Sequence, residues 1–299
     1  MLKWKAGYIA LFQSDLYETN SLVVETSDYV LVVDPCWLPR EVEGIRQYVE
    51  GIRAGRKLLL LFTHSDFDHI IGHGAFPEAE VIASRAFADK STAEQESILE
   101  QIREFDDSYY LRRPYEITYP VVDHVMEADG QMMTFGDIRL TGYSARGHNN
   151  DGMFTLIEPL GLFIAGDYLS DVEFPYIEDS SVSYEGTLHK VEPIMARHPI
   201  TLMIPGHGET TSSMNEIRRR RDAGLNYIQN MRAAVASGEQ ENIDQLIAGC
   251  AFPRNMTKFH QSNQLLFQGE PKGFRAVSEH NEEVSVKQKK NKHSDLKGS

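Results

Sequence analysis

Two hydrophobic periods alternate along this chain. Ser21-Leu22-Val23-Val24-Glu25 and Tyr29-Val30-Leu31-Val32-Val33 flank Ser27-Asp28, and two apolar runs around a turn-forming pair predict a hairpin. Val42, Ile45, Val49 and Ile52 recur at the helical period and predict a helix over 40–54. Leu58-Leu59-Leu60-Leu61-Phe62 is a short unbroken apolar run, the signature of a buried strand, and Glu80-Val81-Ile82-Ala83 predicts another. Residues 85–105 read as a rather polar helix. Residues 106–124, with Pro114, Pro120 and four tyrosines, read as irregular. Asp129-Gly130 and Gly136-Asp137 mark turns between strands at about 125–128, 131–135 and 138–144. Pro159-Leu160-Gly161 separates strands at 153–157 and 162–165. A helix over 186–197, a strand over 200–204 and two closing helices over 213–237 and 241–249 complete the pattern. From about residue 276 the chain is charged and poor in aromatics, the composition of a disordered tail.

This pattern predicts one α/β domain over 1–275, with an insertion at about 85–124, C-terminal helices at about 213–250 and a tail over 276–299. Composition allows a core of that size, since 41% of the 299 residues are hydrophobic. No run approaches the roughly 18 apolar residues of a membrane span, and the N-terminus lacks a signal-peptide pattern. Cytoplasm is the expected compartment, without membrane association. Two cysteines, Cys36 and Cys250, are too few for a disulfide framework.

The chemistry concentrates after the buried run at 58–62. Thr63-His64-Ser65-Asp66-Phe67-Asp68-His69 holds four candidate metal ligands, with Gly72 and Gly74 close behind. Imidazole with carboxylate suits zinc, iron or manganese. One tight loop cannot enclose an ion alone. Gly147-His148, Gly166-Asp167 and Gly206-His207-Gly208 offer further ligands, each after an apolar or strand-like run.

In order and flanking sequence this constellation resembles the metallo-β-lactamase superfamily. The resemblance covers roughly residues 8–210 and rests on His-x-Asp-x-Asp-His at 64–69, Phe163-Ile164-Ala165-Gly166-Asp167, Ile204-Pro205-Gly206-His207-Gly208 and Asp34-Pro35 after a strand. It implies a four-layer αββα sandwich with additional C-terminal helices. It also implies two divalent metal ions: one held by His64, Asp66 and His148, the other by Asp68, His69 and His207, with Asp167 between them. Asp68 and Asp167 would be the catalytic carboxylates, Asp68 orienting the nucleophile or protonating the leaving group. The implied activity is hydrolysis of a small molecule (an ester, thioester or lactone, less readily a phosphodiester) by a metal-activated hydroxide.

One position departs from the family. Asp66 stands where the motif has its second His. Zinc is the expected metal, but a hard oxygen ligand shifts preference towards iron or manganese. Flavodiiron relatives carry a carboxylate there, although it is Glu, so a diiron-type redox enzyme is one alternative. The residues after 210 are too few for the flavin domain that such enzymes use. A non-enzymatic binding protein with a weakened site is the other alternative. Asn149-Asn150 also departs from the Thr-Pro that many members carry after the lone His.

Net charge is −14, which disfavours a nucleic-acid partner, because phosphate binding needs a basic footprint. Arg218-Arg219-Arg220-Arg221 is the one basic run inside the fold, and four successive helical positions point in different directions. It is expected to form surface ion pairs. Cys36 and His260 are expected to be structural and His73 not to be a ligand. Asp151 reads as a turn cap or as a support for the site. The tyrosines at 109–119 fit a substrate cover as well as a packed loop. A homodimer through that insertion or the C-terminal helices is compatible with the sequence.

Overall fold

The computed structural model describes residues 1–270; the expected tail at 276–299 and the expected domain end at 275 lie outside them. Strands β1 (Leu2–Ala6), β2 (Ile9–Gln13), β3 (Asn20–Glu25), β4 (Tyr29–Val33), β5 (Lys57–Leu61), β6 (Glu80–Ser84) and β7 (His124–Met126) form one sheet in that order. Pairing is antiparallel from β1 to β4 and parallel from β4 to β7. The second sheet runs β12 (Leu202–Ile204), β11 (Leu162–Ile164), β10 (Met153–Glu158), β9 (Ile138–Ser144), β8 (Gln131–Phe135). Only β11 and β12 are parallel in it.

Strand periodicity distributes the side chains among three cores. Leu22, Val24, Leu31, Val33, Leu59 and Leu61 face Ile138, Leu140, Ile157, Ile164 and Ile204 between the sheets. Their neighbours Val23, Val30, Val32, Leu58 and Leu60 turn outward, as successive strand residues must. There they meet Val42, Ile45 and Val49 of α1 (Pro39–Arg53), Phe87 of α3 (Arg85–Ala88), and Leu99 and Ile102 of α4 (Thr92–Ser108). On the far side Phe154, Leu156, Phe163 and Met203 pack against α5 (Ser181–Arg197), α6 (Met214–Ser237), α7 (Gln240–Gln245) and α8 (Pro253–Gly269). Strands buried on both faces explain why 29–33 and 58–62 read as continuous apolar runs. The architecture is the expected αββα sandwich. Among the described residues no helix is long and apolar enough to cross a membrane.

Several elements differ from expectation. β1 and β2 extend the first sheet where no strands were expected; Lys3 and Lys5 interrupt the apolar pattern at an exposed edge. β7 pairs in parallel with β6 rather than joining the β8–β9 hairpin. The 85–105 helix is two helices, because Ser91 starts α4 afresh with a capping box closed by Glu94. α4 then runs to Ser108, into the stretch expected to be irregular. α8 lies beyond the expected helical region. Its buried face is Met256, His260, Asn263 and Phe267, and two polar residues on that face hide the apolar period.

Candidate metal centre

All seven expected residues meet at the C-terminal ends of strands, on the rim shared by both sheets. The turn after β5 carries His64 and Asp66 into the short helix α2 (Phe67–Ile70), which holds Asp68 and His69. The β9–β10 loop brings His148, and the turns after β11 and β12 bring Asp167 and His207. Two glycines allow this convergence. Gly147, at φ +126, would place a Cβ 2.2 Å from the backbone nitrogen of Tyr184, and a Cβ on Gly206 would lie 2.3 Å from Asp167 Oδ1.

Ligand atoms of His64, Asp66, His148 and Asp167 lie within 4.8 Å of one another, as do those of Asp68, His69 and His207. Asp167 touches both groups. Its Oδ2 is 3.2 Å from His148 Nε2 and 3.3 Å from His207 Nε2, and its Oδ1 is 3.1 Å from His69 Nε2. Asp66 Oδ2 sits 2.9 Å from His148 Nε2 and 3.5 Å from His64 Nε2.

Each imidazole is held from behind. His148 Nδ1 donates to the Tyr176 carbonyl at 2.9 Å, and His207 Nδ1 to the Tyr17 carbonyl at 3.0 Å. His69 Nδ1 donates to Asp34 Oδ2 at 3.0 Å. The Thr63 hydroxyl donates to that same oxygen at 2.6 Å, so its own oxygen accepts from His64 Nδ1 at 3.0 Å. Four rings are thereby fixed with Nε2 aimed inward, the arrangement that outer partners give to metal-binding histidines. His64 Nε2, His69 Nε2 and Asp167 Oδ1 are buried there without a hydrogen-bond partner. Leaving buried polar atoms unpaired is costly, and a cation among them removes the cost. The donor set therefore fits divalent metal.

The charges agree. Burial pushes the Asp167 carboxyl upward, but His207, His69 and His64 outweigh it and hold the group well below the usual carboxylate range. Asp66 is likewise held low against burial by His64 and His148. Asp68 is raised, by burial above all. His69 and His148 are raised well above the ordinary imidazole value by their carboxylates, despite burial.

Sequence reasoning gave no site role to several residues that the structure assigns one. Asn149 donates from Nδ2 to Asp66 Oδ1 at 2.9 Å, while its own Oδ1 accepts from Asp151 N–H. Asp34 sits in the left-handed region at φ +45 and supports both His69 and Thr63. Asn263 of α8 accepts from Ile177 N–H and donates to the Pro175 carbonyl, bracketing the Tyr176 carbonyl that holds His148. An Asp, two Asn and a Thr give no such signal in sequence, because their role depends on where distant loops meet.

Other expectations resolve simply. Asp151 supports the site, accepting from Ser65 N–H and pairing with Lys90 at 3.2 Å. His73 turns away to Thr118. His260 bridges the Tyr227 hydroxyl and the Ile243 carbonyl. Cys36 is buried against Ser21. Arg218, Arg219 and Arg221 form surface ion pairs, whereas Arg220 is buried, donating to the Leu169 and Glu209 carbonyls.

A cavity of about 920 Å³ opens onto the centre. Its cover is α4 and α8. Of the tyrosine-rich stretch only Tyr109 and Leu111 line it. Tyr115 and Tyr119 pack on the core between the first sheet and α1, α3 and α4, and the Tyr119 hydroxyl donates to the Phe87 carbonyl.

The family model described as "Metallo-beta-lactamase superfamily" matches residues 15–220. The chain belongs to that superfamily. A metallo-beta-lactamase type 2 of Bacillus cereus is 22% identical over 212 residues, covering 69% of this chain and 73% of that one. Among solved structures, a metallo-beta-lactamase family protein from Thermus thermophilus superposes with a TM-score of 0.57 at 17% identity, over 85% of this chain and 91% of its own. A metallo-beta-lactamase from Pontibacter korlensis gives 0.54 at 13%, over 77% and 99%. Superfamily members are mostly metal-dependent hydrolases.

Proposed function

We propose that this superfamily member is a binuclear metal-dependent hydrolase of a small-molecule ester, thioester or lactone. The observation that carries the reading is the convergence of buried Nε2 and carboxylate atoms in two adjoining groups, each within 4.8 Å, beside an open cavity. His64, Asp66 and His148 would hold one ion, Asp68, His69 and His207 the other, and Asp167 both. Bound there, divalent ions supply positive charge that makes a water more acidic and offsets charge developing on an attacked carbonyl. The chain supplies the rest. Asp34, Thr63, Tyr17 and Tyr176 fix the four rings, so the site needs little reorganisation. Asp68 lines the cavity among the residues that would hold the ions, where its carboxylate is placed to orient the attacking water. α4 and α8 limit access of bulk water.

Zinc, manganese or iron all suit this donor set. The carboxylate of Asp66 keeps an iron-based redox enzyme as the second reading, and iron content with dioxygen consumption would favour it. The test is metal content per chain after separate reconstitution with each metal, alongside turnover of esters, thioesters and lactones. Two equivalents with turnover are expected. Asp66→Ala should lose about one equivalent, and unchanged content in that variant rejects its assignment as a ligand.

A further inference from the structure

The cavity wall beside the centre is aromatic and continuous. Phe67 lies between Asp66 and Asp68 in sequence, and its ring meets Trp37 edge-on at 5.6 Å. Trp37 stacks on Tyr17 at 5.3 Å and touches Phe105 at 5.5 Å; Phe105 reaches Tyr109 at 5.0 Å. All five rings, with Ile98, line the cavity. A group attacked beside Asp68 thus has its substituent on this wall.

Away from the metal centre, the charged side chains around the same cavity are mostly acidic. Outside the seven site residues, Glu94, Glu173 and Glu178 line it against Lys90 and Lys258. Lys90 is already committed, 3.2 Å from Asp151 Oδ2 and 2.9 Å from Asn150 Oδ1. Lys258 lies 4.7 Å over the Phe259 ring. A phosphate or carboxylate carried on the arm, away from the metal ions, meets an apolar wall and the acidic side chains of Glu173 and Glu178, with the exposed Lys258 as the cation of the lining that no carboxylate of the described residues pairs.

We propose that the substrate is an uncharged ester or lactone carrying an aryl or alkyl arm, with that arm seated on the Trp37–Phe67–Phe105 wall. The inference rests on the hydrolase reading. It narrows that reading away from phosphodiesters and from thioesters of polyanionic carriers.

The test uses non-hydrolysable probes on the metal-reconstituted chain. The protein has two tryptophans, so Trp4→Phe leaves Trp37 as the fluorescent reporter. Phenylacetamide, 3-phenylpropanamide and 4-phenylbutanamide are titrated beside 4-(4-sulfophenyl)butanamide, a sulfonate that carries its charge on the arm. Affinity should rise about fourfold per added methylene, the value of burying one such group. The sulfonate should bind at least about tenfold more weakly than the amide of equal length. Phe105→Ala should lower amide affinity about tenfold or more, with Phe105→Leu between it and the parent should α4 loosen in the alanine variant. Affinity independent of length, a sulfonate that binds as well as the amide, or amide binding unmoved in both variants overturns the proposal. The two readings fail separately. Length-dependent binding without turnover of any ester or lactone rejects the hydrolase and keeps the wall. Turnover with length-independent binding does the reverse.

Discussion

Asn149 offers the sharpest perturbation of the metal centre. Its Nδ2 donates to Asp66 Oδ1 at 2.9 Å, while Oδ2 of the same carboxylate faces His148 and His64. The amide is itself oriented, because its oxygen accepts from the Asp151 backbone N–H. Asn149 therefore fixes which Asp66 oxygen points inward. Asn149→Ala removes a hydrogen bond to a charged acceptor, which contributes about 1.5–3 kcal/mol. Spent on ligand orientation, that is roughly 10- to 100-fold in affinity at the ion nearest Asp66, the range seen when outer partners of metal ligands are lost. The Asp68–His69–His207 group does not contact Asn149, so its affinity should hold within about threefold. Competition against a graded series of chelators resolves the two affinities. Cobalt substitution adds a spectroscopic readout that changes for one ion only. Both affinities unchanged in Asn149→Ala, or both falling together, refutes the orienting role.

Three further outcomes follow from the same geometry. Asp34→Asn, which tolerates the left-handed backbone, weakens the anchor of His69 and Thr63 and should cost about 10- to 100-fold in affinity at the His69 ion, measured by the same competition; an unchanged constant excludes Asp34 as an anchor. Gly206→Ala places a methyl 2.3 Å from Asp167 Oδ1 and should lower metal content by elemental analysis while circular dichroism stays native; full content shows that Asp167 can move without loss. In the metal-free protein His207 is pushed up to about 10: burial lowers it, but Glu173 and Asp167 prevail. Its imidazole therefore carries a proton throughout the range below about pH 10, and metal must displace that proton. Uptake at pH 8 in weak buffer should release protons, and affinity should fall about tenfold per pH unit for each proton displaced as pH drops; uptake with no release contradicts the charge assignment.

The sequence reveals candidate ligands more readily than their supports. His64, Asp68, His69, His148, Asp167 and His207 are legible because each follows a strand in a fixed order, and their convergence is the fold's own consequence. Asp34, Asn149 and Asn263 act through hydrogen bonds between loops far apart in sequence, so no local pattern marks them. The layers are equally legible where strands are buried on both faces, as at 29–33 and 58–62. They are illegible where edge position relaxes the pattern, as in β1, or where polar residues occupy core positions, as His260 and Asn263 do in α8. The cavity cover is legible in part. The expected insertion at about 85–124 contains α4, which lines the cavity with Tyr109 and Leu111, while Tyr115 and Tyr119 pack inward and α8, the other covering helix, carries no such mark.

α8 lines the cavity and also braces the candidate metal centre. Met256 and Phe259 line the cavity, and farther along the helix Asn263 brackets the carbonyl that orients His148. A molecule that shifts this helix also shifts the acceptor behind His148. On the proposed function, occupancy of the cavity and retention of an ion would be thermodynamically linked, each changing the other by the same factor. Substitutions on α8 chosen to retune substrate preference will then alter how firmly the protein holds its metal when metal is scarce.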